Sequence, residues 1–263
     1  QDAVLPEQGE FSPSLAQQAR RKAAEQEMEY DPNYLSMEYV DLVSPDDVIA
    51  YKKDGDHMQV GETAFEITAT VHTILKGERL VLNCMQRMSG IATLTKKYTD
   101  LLIGYHTKLL DTRKTTPGVR YMEKWAVRIG GGMNHRFALY DMIMLKDNHV
   151  DFAGGIKEAI LRTQEYLKST GRSLKVEIEV RNIAELHQVL ETGMVDRIML
   201  DNFTPELLKE ALEIIDRRYE TEASGGITKE TIRSFAETGV DFISVGALTH
   251  SFDSLDMSLK ASF

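Results

Sequence analysis

From residue 107 onward, short apolar segments alternate along the chain with longer segments of helical periodicity. The apolar segments are rich in Leu, Ile, Val and Met and predict six strands, which read TKLLD, MIMLK, KVEIEV, RIMLD, YETEAS and FISVG. Between them, apolar residues three and four positions apart predict amphipathic helices at 156–168, 183–192, 205–217 and 228–238. This alternation indicates parallel strands joined by helical crossovers.

The positions at which the predicted strands end favour a β/α barrel. The last four ends are 22 or 23 residues apart, and such regular spacing favours a barrel over an open sheet, which needs a reversal of strand order. The carboxyl ends of barrel strands meet at one mouth. The residues expected there are Asp111, Arg113, Lys114, Lys146, Asp147, Glu179, Asp201, Ser224, Gly225 and Gly246.

The first 80 residues show a different pattern. Apolar and polar residues alternate from Phe65 to His72, which is typical of a half-buried strand, and a long helix is predicted from about 80 to 102. We therefore predict a smaller N-terminal α+β domain with a linking helix over 1–103 and a catalytic barrel over 104–250. Residues 251–263 are expected to form a C-terminal helix or tail that packs back on the N-terminal domain.

A further helix is predicted after the first barrel strand. Thr116 followed by Pro117 is a favourable helix start. The apolar residues Met122, Trp125, Ala126 and Ile129 predict one buried stripe. The cations Arg120, Lys124 and Arg128 are four residues apart, which is typical of a solvated helix face.

Charge is distributed unevenly along the chain. The formal net charge of −10 argues against non-specific binding of nucleic acid or an anionic membrane, yet residues 113–149 hold seven Lys/Arg against three acids. An anionic ligand is therefore expected to bind locally, within this segment. The single cysteine, Cys84, allows no intrachain disulfide and fits a reducing cytoplasm, and no apolar run of about twenty residues is present.

Carboxylates and glycine loops supply the candidate chemistry. Glu177 and Glu179 alternate with apolar residues in VEIEV, so both point to one side of a buried strand, where a carboxylate needs a cation or hydroxyl partner. Together with Asp201 they are expected to hold Mg²⁺, directly or through water, or ribose hydroxyls. The loops SGGI (224–227) and VGAL (245–248) follow late strands and favour phosphate binding.

Two further residue types leave alternatives open. Lys146 ends an apolar strand, and from the residues alone it is a Schiff-base nucleophile, a phosphate partner or a simple surface lysine. His135 and His149 lack metal-ligand spacing to another His or Cys, so we do not expect zinc.

Seven segments of the chain resemble one enzyme family. They are GERLVLNCMQRMSGIAT (77–93), LLDTRKTTPGVRYMEKWAVRIGGGMNHR (109–136), LKDNH (145–149), VEIEV, LDNF (200–203), EASGGI and VGALTHS (245–251). In this order, over about residues 60 to 252, they resemble quinolinate phosphoribosyltransferase, the carboxylating nicotinate-nucleotide pyrophosphorylase. The resemblance implies an incomplete, about seven-stranded parallel β/α barrel with a smaller N-terminal α/β sandwich domain, assembled at least as a homodimer.

The resemblance also implies an activity and a set of site residues. The activity is Mg²⁺-dependent transfer from phosphoribosyl pyrophosphate to quinolinate, giving nicotinate mononucleotide, pyrophosphate and CO2. The quinolinate side is expected to be formed by Arg79, Arg113, Lys114, His135, Arg136 and Lys146, with Arg79 entering the partner's site. The phosphoribosyl side is expected to be formed by Lys114, Lys146, Glu179, Asp201, Ser224, Gly225, Gly246 and Ala247.

Within these sets, the resemblance implies catalytic roles for Lys114, Glu179 and Asp201, with Glu179 and Asp201 as the Mg²⁺ ligands. The alternatives are a nicotinate phosphoribosyltransferase, a Schiff-base aldolase that uses Lys146, and a non-catalytic barrel that binds a phosphorylated metabolite. Before residue 35 the family's acidic-glycine pattern is absent, and we expect segments to be missing from that part of the sequence.

Overall fold

The computed structural model describes residues 48–261, so everything predicted for residues 1–47 lies outside the described part of the chain. The chain divides into two compact units. The smaller one includes residues 48–53 and Met58–Arg79, and the larger one includes Asp54–His57 and the residues from Leu80 onward.

The smaller unit contains a two-stranded antiparallel sheet. Strand β1 (Val48–Ala50) pairs with β2 (Phe65–Ile67), and helix α1 (Val71–Leu101) begins soon after. The prediction of a strand up to His72 is wrong for its second half. Thr70 ends the extended segment because its Oγ1 accepts the backbone N–H of Thr73 at 3.3 Å, which is an N-terminal helix cap.

The larger unit alternates strands with helices, as the hydrophobic pattern predicts. Its strands are β3 (Lys108–Leu110), β4 (Ile143–Leu145), β5 (Val176–Val180), β6 (Arg197–Asp201), β7 (Glu220–Ser224) and β8 (Phe242–Ser244). Its further helices are α2 (Arg120–Ile129), α3 (Asp147–Ala153), α4 (Ile156–Thr170), α5 (Ile183–Thr192), α6 (Pro205–Ile215), α7 (Ile232–Ala236) and α8 (Ala247–His250).

The six strands form one parallel sheet in the order β3-β8-β7-β6-β5-β4. A seventh position is present as a single parallel bridge between Leu110 and Met133, where the Met133 N–H donates to the Leu109 carbonyl at 2.8 Å. No strand pairing joins Met133 to β4 in the part of the chain that the structure describes. The predicted α/β class and incomplete parallel barrel are confirmed.

Burial of apolar residues on the strands and the inner faces of the helices holds the barrel together. Ile198, Leu200 and Ile243 are fully buried on the strands, and Leu208 and Ile215 are fully buried on α6. A loop and a helix follow each strand, and the carboxyl ends of the parallel strands lie close together at one mouth.

Residues 252–261 form neither helix nor strand and lie along α1. The Leu255 N–H donates to the Gln86 carbonyl at 3.2 Å, and Gln86 Nε2 donates to the Met257 carbonyl at 3.1 Å. The predicted domain limits stay predictions. Among the described helices, none combines the length and the apolar character that crossing a bilayer requires.

Candidate active site

Strand β5 carries two glutamates on one face. All five residues of the strand are buried, and Glu177 and Glu179 lie opposite Arg197 and Met199 of β6. Alternation along a strand turns residues two apart to the same side, so both carboxylates face into the barrel. They occupy different depths, and each meets different partners.

Glu179 is at the mouth of the barrel, where it pairs with Lys146. The distance from Lys146 Nζ to Glu179 Oε2 is 3.3 Å. Burial raises the pKa of Glu179, the charge of Asp201 raises it further, and the charge of Lys146 lowers it. Burial likewise raises the pKa of Asp201, against the charge of Lys146. The charge of Lys146 therefore acts on both carboxylates, Glu179 and Asp201.

The surroundings of Lys146 bear on its predicted alternatives. Its side chain is half exposed and faces the Glu179 carboxylate. Schiff-base lysines are instead activated in hydrophobic pockets or beside other cations. The geometry therefore favours Lys146 as a partner of anions over Lys146 as a nucleophile.

Arg113 and Arg136 form the basic side of the site. Burial lowers the pKa of Arg136, and the charge of Arg113 lowers it further, so the two guanidinium groups act on each other. Arg136 Nη1 donates to the Met142 carbonyl at 3.3 Å. Arg113 Nε is buried and has no hydrogen-bond partner among the described residues. Two neighbouring guanidinium groups with unused donors are suited to a ligand with two carboxylates.

His135 lies against the barrel interior. Its Nδ1 accepts the backbone N–H of Arg136 at 2.6 Å, which leaves the proton of the neutral ring on Nε2. Nε2 faces Glu177 Oε2 at 2.8 Å, and burial lowers the pKa of His135. A direct contact of His135 with quinolinate stays a prediction.

The two glycine loops differ in backbone conformation. Gly225 has φ +98° and Gly226 has φ +60°, and a Cβ at Gly225 would collide with Asn202. Gly246 has an ordinary φ of −67°, which any residue can adopt. A Cβ at this position would meet the side chains of Lys114 and His250, which pack against the glycine. Lys114 is thereby brought to the VGAL loop.

The comparisons with known proteins decide the family. A model described as "Quinolinate phosphoribosyl transferase, C-terminal domain" matches residues 91–260, and the corresponding N-terminal domain model matches residues 41–89. The chain belongs to the quinolinate phosphoribosyltransferase family.

Individual relatives agree with the family models. The chain is 48% identical over 221 residues to the decarboxylating quinolinate phosphoribosyltransferase 1b of Nicotiana tabacum, an alignment that covers 79% of this chain and 63% of the tobacco protein. It is 45% identical over 214 residues to a probable carboxylating nicotinate-nucleotide pyrophosphorylase of Bacillus subtilis, covering 81% of this chain and 73% of that protein.

Among solved structures, the chain resembles NadC from Streptococcus pyogenes with a TM-score of 0.76 and 42% identity. That match covers 81% of this chain and 74% of NadC. By contrast, the chain spans less than two thirds of the length of the tobacco relative.

The match to the family motif predicts that Arg79 contributes to the quinolinate site. Arg79 lies in α1 and in the smaller of the two compact units. Its predicted entry into a partner's site stays a prediction.

The predicted orientation of α2 is wrong in part. The helix begins at Arg120, after a turn in which Gly118 has φ +81°, and so Thr116 does not cap it. Trp125 is 47% exposed, whereas Lys124 is only 2% exposed. Of the three cations predicted at the surface, Arg128 is exposed, Arg120 is half-buried and Lys124 is buried.

Buried ion pairs account for this orientation. Lys124 Nζ donates to Asp111 Oδ1 at 2.5 Å, and Arg87 Nε donates to the buried carboxylate of Glu123 at 2.9 Å. Asp111, which we expected among the mouth residues, is fully buried and used by this pair. Partners outside the helix therefore override its local apolar pattern.

Sequence reasoning missed Glu222 and Arg197. Arg197 Nη1 donates to Glu222 Oε2 at 3.2 Å, and its guanidinium lies 4.0 Å from the centroid of the Phe242 ring. Burial and the neighbouring charge of Glu177 raise the pKa of Glu222 to about 8. The signal was present, because ETEAS alternates as VEIEV does and puts Glu220 and Glu222 on one face.

This interior cluster has the atoms of a metal site but is already supplied with positive charge. Ligand atoms of His135, Glu177 and Glu222 lie within 4.8 Å of one another. Arg197 donates to the same Glu222 oxygen that faces His135, and the charge of Arg136 acts on Glu177. Arginine thus provides the charge compensation that buried carboxylates require.

Proposed function

We propose that the chain transfers the phosphoribosyl group of phosphoribosyl pyrophosphate to quinolinate with decarboxylation, a reaction of de novo NAD biosynthesis. Support comes from family membership and from the activities for which the relatives are named. The observation that carries the proposal is that the paired guanidinium groups and the group of Lys146, Glu179 and Asp201 approach the same strand, because the charges of Arg136 and Lys146 both act on Glu177.

Quinolinate carries two carboxylates beside a pyridine nitrogen. Arg113 and Arg136 are assigned to these carboxylates because guanidinium forks bind carboxylates through paired hydrogen bonds. Lys114, Lys146 and His135 are assigned to the same side by their match to the family motif. A substrate with one carboxylate fewer would leave a guanidinium without its partner, and this disfavours nicotinate as the substrate.

The phosphoribosyl side is assigned to the mouth carboxylates and the glycine loops. Glu179 and Asp201 would stabilise the positive charge that develops at ribose C1 as pyrophosphate departs. Backbone N–H groups near Ser224, Gly225, Gly246 and Ala247 are suited to the phosphate groups.

Mg²⁺ is the proposed metal. Glu179 and Asp201 fit it, since carboxylate oxygens are its preferred protein ligands and the charge of Asp201, which raises the pKa of Glu179, would be offset by a cation. When bound, Mg²⁺ would offset the charge of the pyrophosphate leaving group.

The reaction has two bond-changing steps. The pyridine nitrogen forms a bond to ribose C1 while the bond from C1 to the pyrophosphate oxygen breaks. The ring nitrogen becomes cationic. The bond from the neighbouring ring carbon to its carboxylate then breaks, CO2 leaves, and the electron pair remains on the ring carbon until a proton replaces it.

The match to the family motif also supports a homodimer in which Arg79 enters the partner's site. The single cysteine, which fits a reducing compartment, supports a cytoplasmic location. Light scattering of the purified protein should give twice the chain mass. Arg79→Ala and Glu179→Gln subunits, each with strongly reduced activity alone, should regain activity when mixed, since a mixed dimer has one intact site. Unchanged low activity of mixed dimers would contradict the shared site.

The activity is tested directly by incubating the protein with quinolinate, phosphoribosyl pyrophosphate and Mg²⁺. Nicotinate mononucleotide and pyrophosphate should form in equal amounts, stop on chelation and resume with added Mg²⁺. Nicotinate offered in place of quinolinate should give little product. Equal turnover of nicotinate would assign the chain to nicotinate phosphoribosyl transfer, and no turnover of either by a folded protein would refute the proposal.

A further inference from the structure

A buried lysine on α2 holds the segment that carries two predicted substrate residues. Lys124 Nζ donates to Asp111 Oδ1 at 2.5 Å and to the His135 carbonyl at 3.0 Å. Both Lys124 and Asp111 are buried. One ammonium group therefore joins the end of β3 to the segment at His135.

Asp111 completes the contact from the other side. Its Oδ1 accepts the backbone N–H of His135 at 2.8 Å, and its Oδ2 accepts Asn134 Nδ2 at 2.6 Å. Asn134 Nδ2 also donates to the Lys124 carbonyl at 2.8 Å. The pair thus holds both backbone polar groups of His135: Lys124 binds its carbonyl, and Asp111 binds its N–H.

The location of the pair connects the two basic clusters. Asp111 lies two residues before Arg113, and His135 directly precedes Arg136. The backbone N–H of Arg136 in turn donates to His135 Nδ1 at 2.6 Å. A shift of the backbone at His135 would therefore change the separation of the two guanidinium groups.

Stability alone is a weak reason to bury this ion pair. Burial lowers the pKa of Lys124 and raises that of Asp111, which reflects the free-energy cost of removing both charges from water. Buried ion pairs are often no more stabilising than apolar residues of the same volume. The directional hydrogen bonds to His135 and Asn134 give the pair a further role.

We propose that Lys124 is a positioning residue: through Asp111 and the His135 backbone it sets the place of Arg136 relative to Arg113 for binding a dicarboxylate. This inference rests on the proposed function. Lys124 itself is not required to touch the substrate.

The test compares Lys124→Met with a charge-neutral variant, Asp111→Asn/Lys124→Met. The first leaves Asp111 as an unpaired buried charge, which disfavours folding; the second lacks both charges as well as the bond from Nζ to the His135 carbonyl. Lys209→Met is the matched control, because Lys209 is exposed on α6 and lies outside the site.

The double variant should fold and show a KM for quinolinate raised about tenfold, because small misplacements of binding groups cost this much or more. The KM for phosphoribosyl pyrophosphate should stay within about twofold. Amide hydrogen exchange of a peptide covering residues 134–137 should be faster than in wild type. The Lys209→Met control should match wild type in all three measurements.

The proposal is overturned if the folded double variant keeps wild-type quinolinate KM and wild-type amide exchange at 134–137, or if both KM values rise equally. Failure of the charge-neutral variant to fold would also overturn it, because the pair would then serve folding. Absence of turnover by wild type would refute the proposed function separately, and the exchange measurement would still decide whether Lys124 holds this segment.

Discussion

Glu177 and Glu179 are the same residue type on one face of one strand, yet they lie in different surroundings. Glu177 is fully buried beside His135 and Glu222, within reach of the charges of two arginines. Glu179 faces the half-exposed Lys146 and the charge of Asp201. Burial raises the pKa of both carboxylates. At Glu177 the charges of Arg197, Arg136 and Lys146 oppose this rise, whereas at Glu179 the charge of Lys146 opposes it and the charge of Asp201 adds to it.

This difference distinguishes charges inside the barrel, which contribute to stability, from charges at the mouth, which are available to a ligand. A charge that several protein cations already offset has less capacity left for a ligand. A group whose compensation is incomplete gains most when a cationic centre or a metal approaches. Substitutions in the interior should therefore reduce stability first, and substitutions at the mouth should reduce activity first.

The largest effect is expected for the mouth arginines. Arg113→Ala and Arg136→Ala should each lower kcat/KM for quinolinate about 1,000-fold, since truncating one partner of a desolvated charge pair is very costly. Steady-state kinetics and thermal unfolding should be measured together, with Arg128→Ala as an exposed control. Loss of stability with unchanged quinolinate binding would remove both arginines from the site.

Arg197→Met is the interior counterpart. It removes the cation that bonds to Glu222 and so leaves buried carboxylates without compensation. The free energy of unfolding should fall by about 3 kcal/mol. Urea denaturation measures this change. If the variant were as stable as wild type but inactive, Arg197 would belong with the mouth residues instead.

Glu179→Gln should lower kcat about 100-fold, because it removes a charge that stabilises the transition state. Quinolinate affinity should change little, since the carboxylate is assigned to the ribose side. Calorimetric titration with quinolinate, alongside single-turnover rates, separates the two quantities. If the variant lost affinity for quinolinate at unchanged kcat, Glu179 would belong to the quinolinate side of the site instead.

The smallest effect concerns pH and Glu222. Its pKa in the folded state is raised to about 8, so the folded protein holds a proton that the unfolded chain releases near its ordinary, lower pKa. This contribution to stability is complete at acidic pH and is lost as the pH rises toward 8. Glu222→Gln should therefore reduce the fall in stability between pH 5.5 and 8.5 by roughly 1 kcal/mol or more. Identical slopes in both proteins would contradict the assignment.

The barrel and its strand-end residues could be predicted because they depend on local patterns. Alternation along VEIEV is enough to place Glu177 and Glu179 on one face, and regular strand spacing is enough to favour a barrel. The same reasoning applied to ETEAS would have found Glu222.

Other features depend on partners far away in the sequence. Lys124 is buried because of Asp111, and Glu123 is buried because of Arg87, 36 residues before it. On a helix of mixed apolar and charged residues, local periodicity favoured Trp125 for the core and Lys124 for the surface. Long-range ion pairs decided otherwise, and helical spacing carries no information about them.

Transfer of the phosphoribosyl group to the ring nitrogen, followed by decarboxylation, is tested with two samples of isotopically labelled quinolinate. One carries the label in the carboxylate next to the ring nitrogen, and the other carries it in the second carboxylate. With phosphoribosyl pyrophosphate and Mg²⁺, the first sample should release one labelled CO2 per pyrophosphate and the second none, because only the first carboxylate adjoins the cationic nitrogen. Labelled CO2 from the second sample, or release of labelled CO2 without phosphoribosyl pyrophosphate, would contradict decarboxylation that follows transfer to the nitrogen.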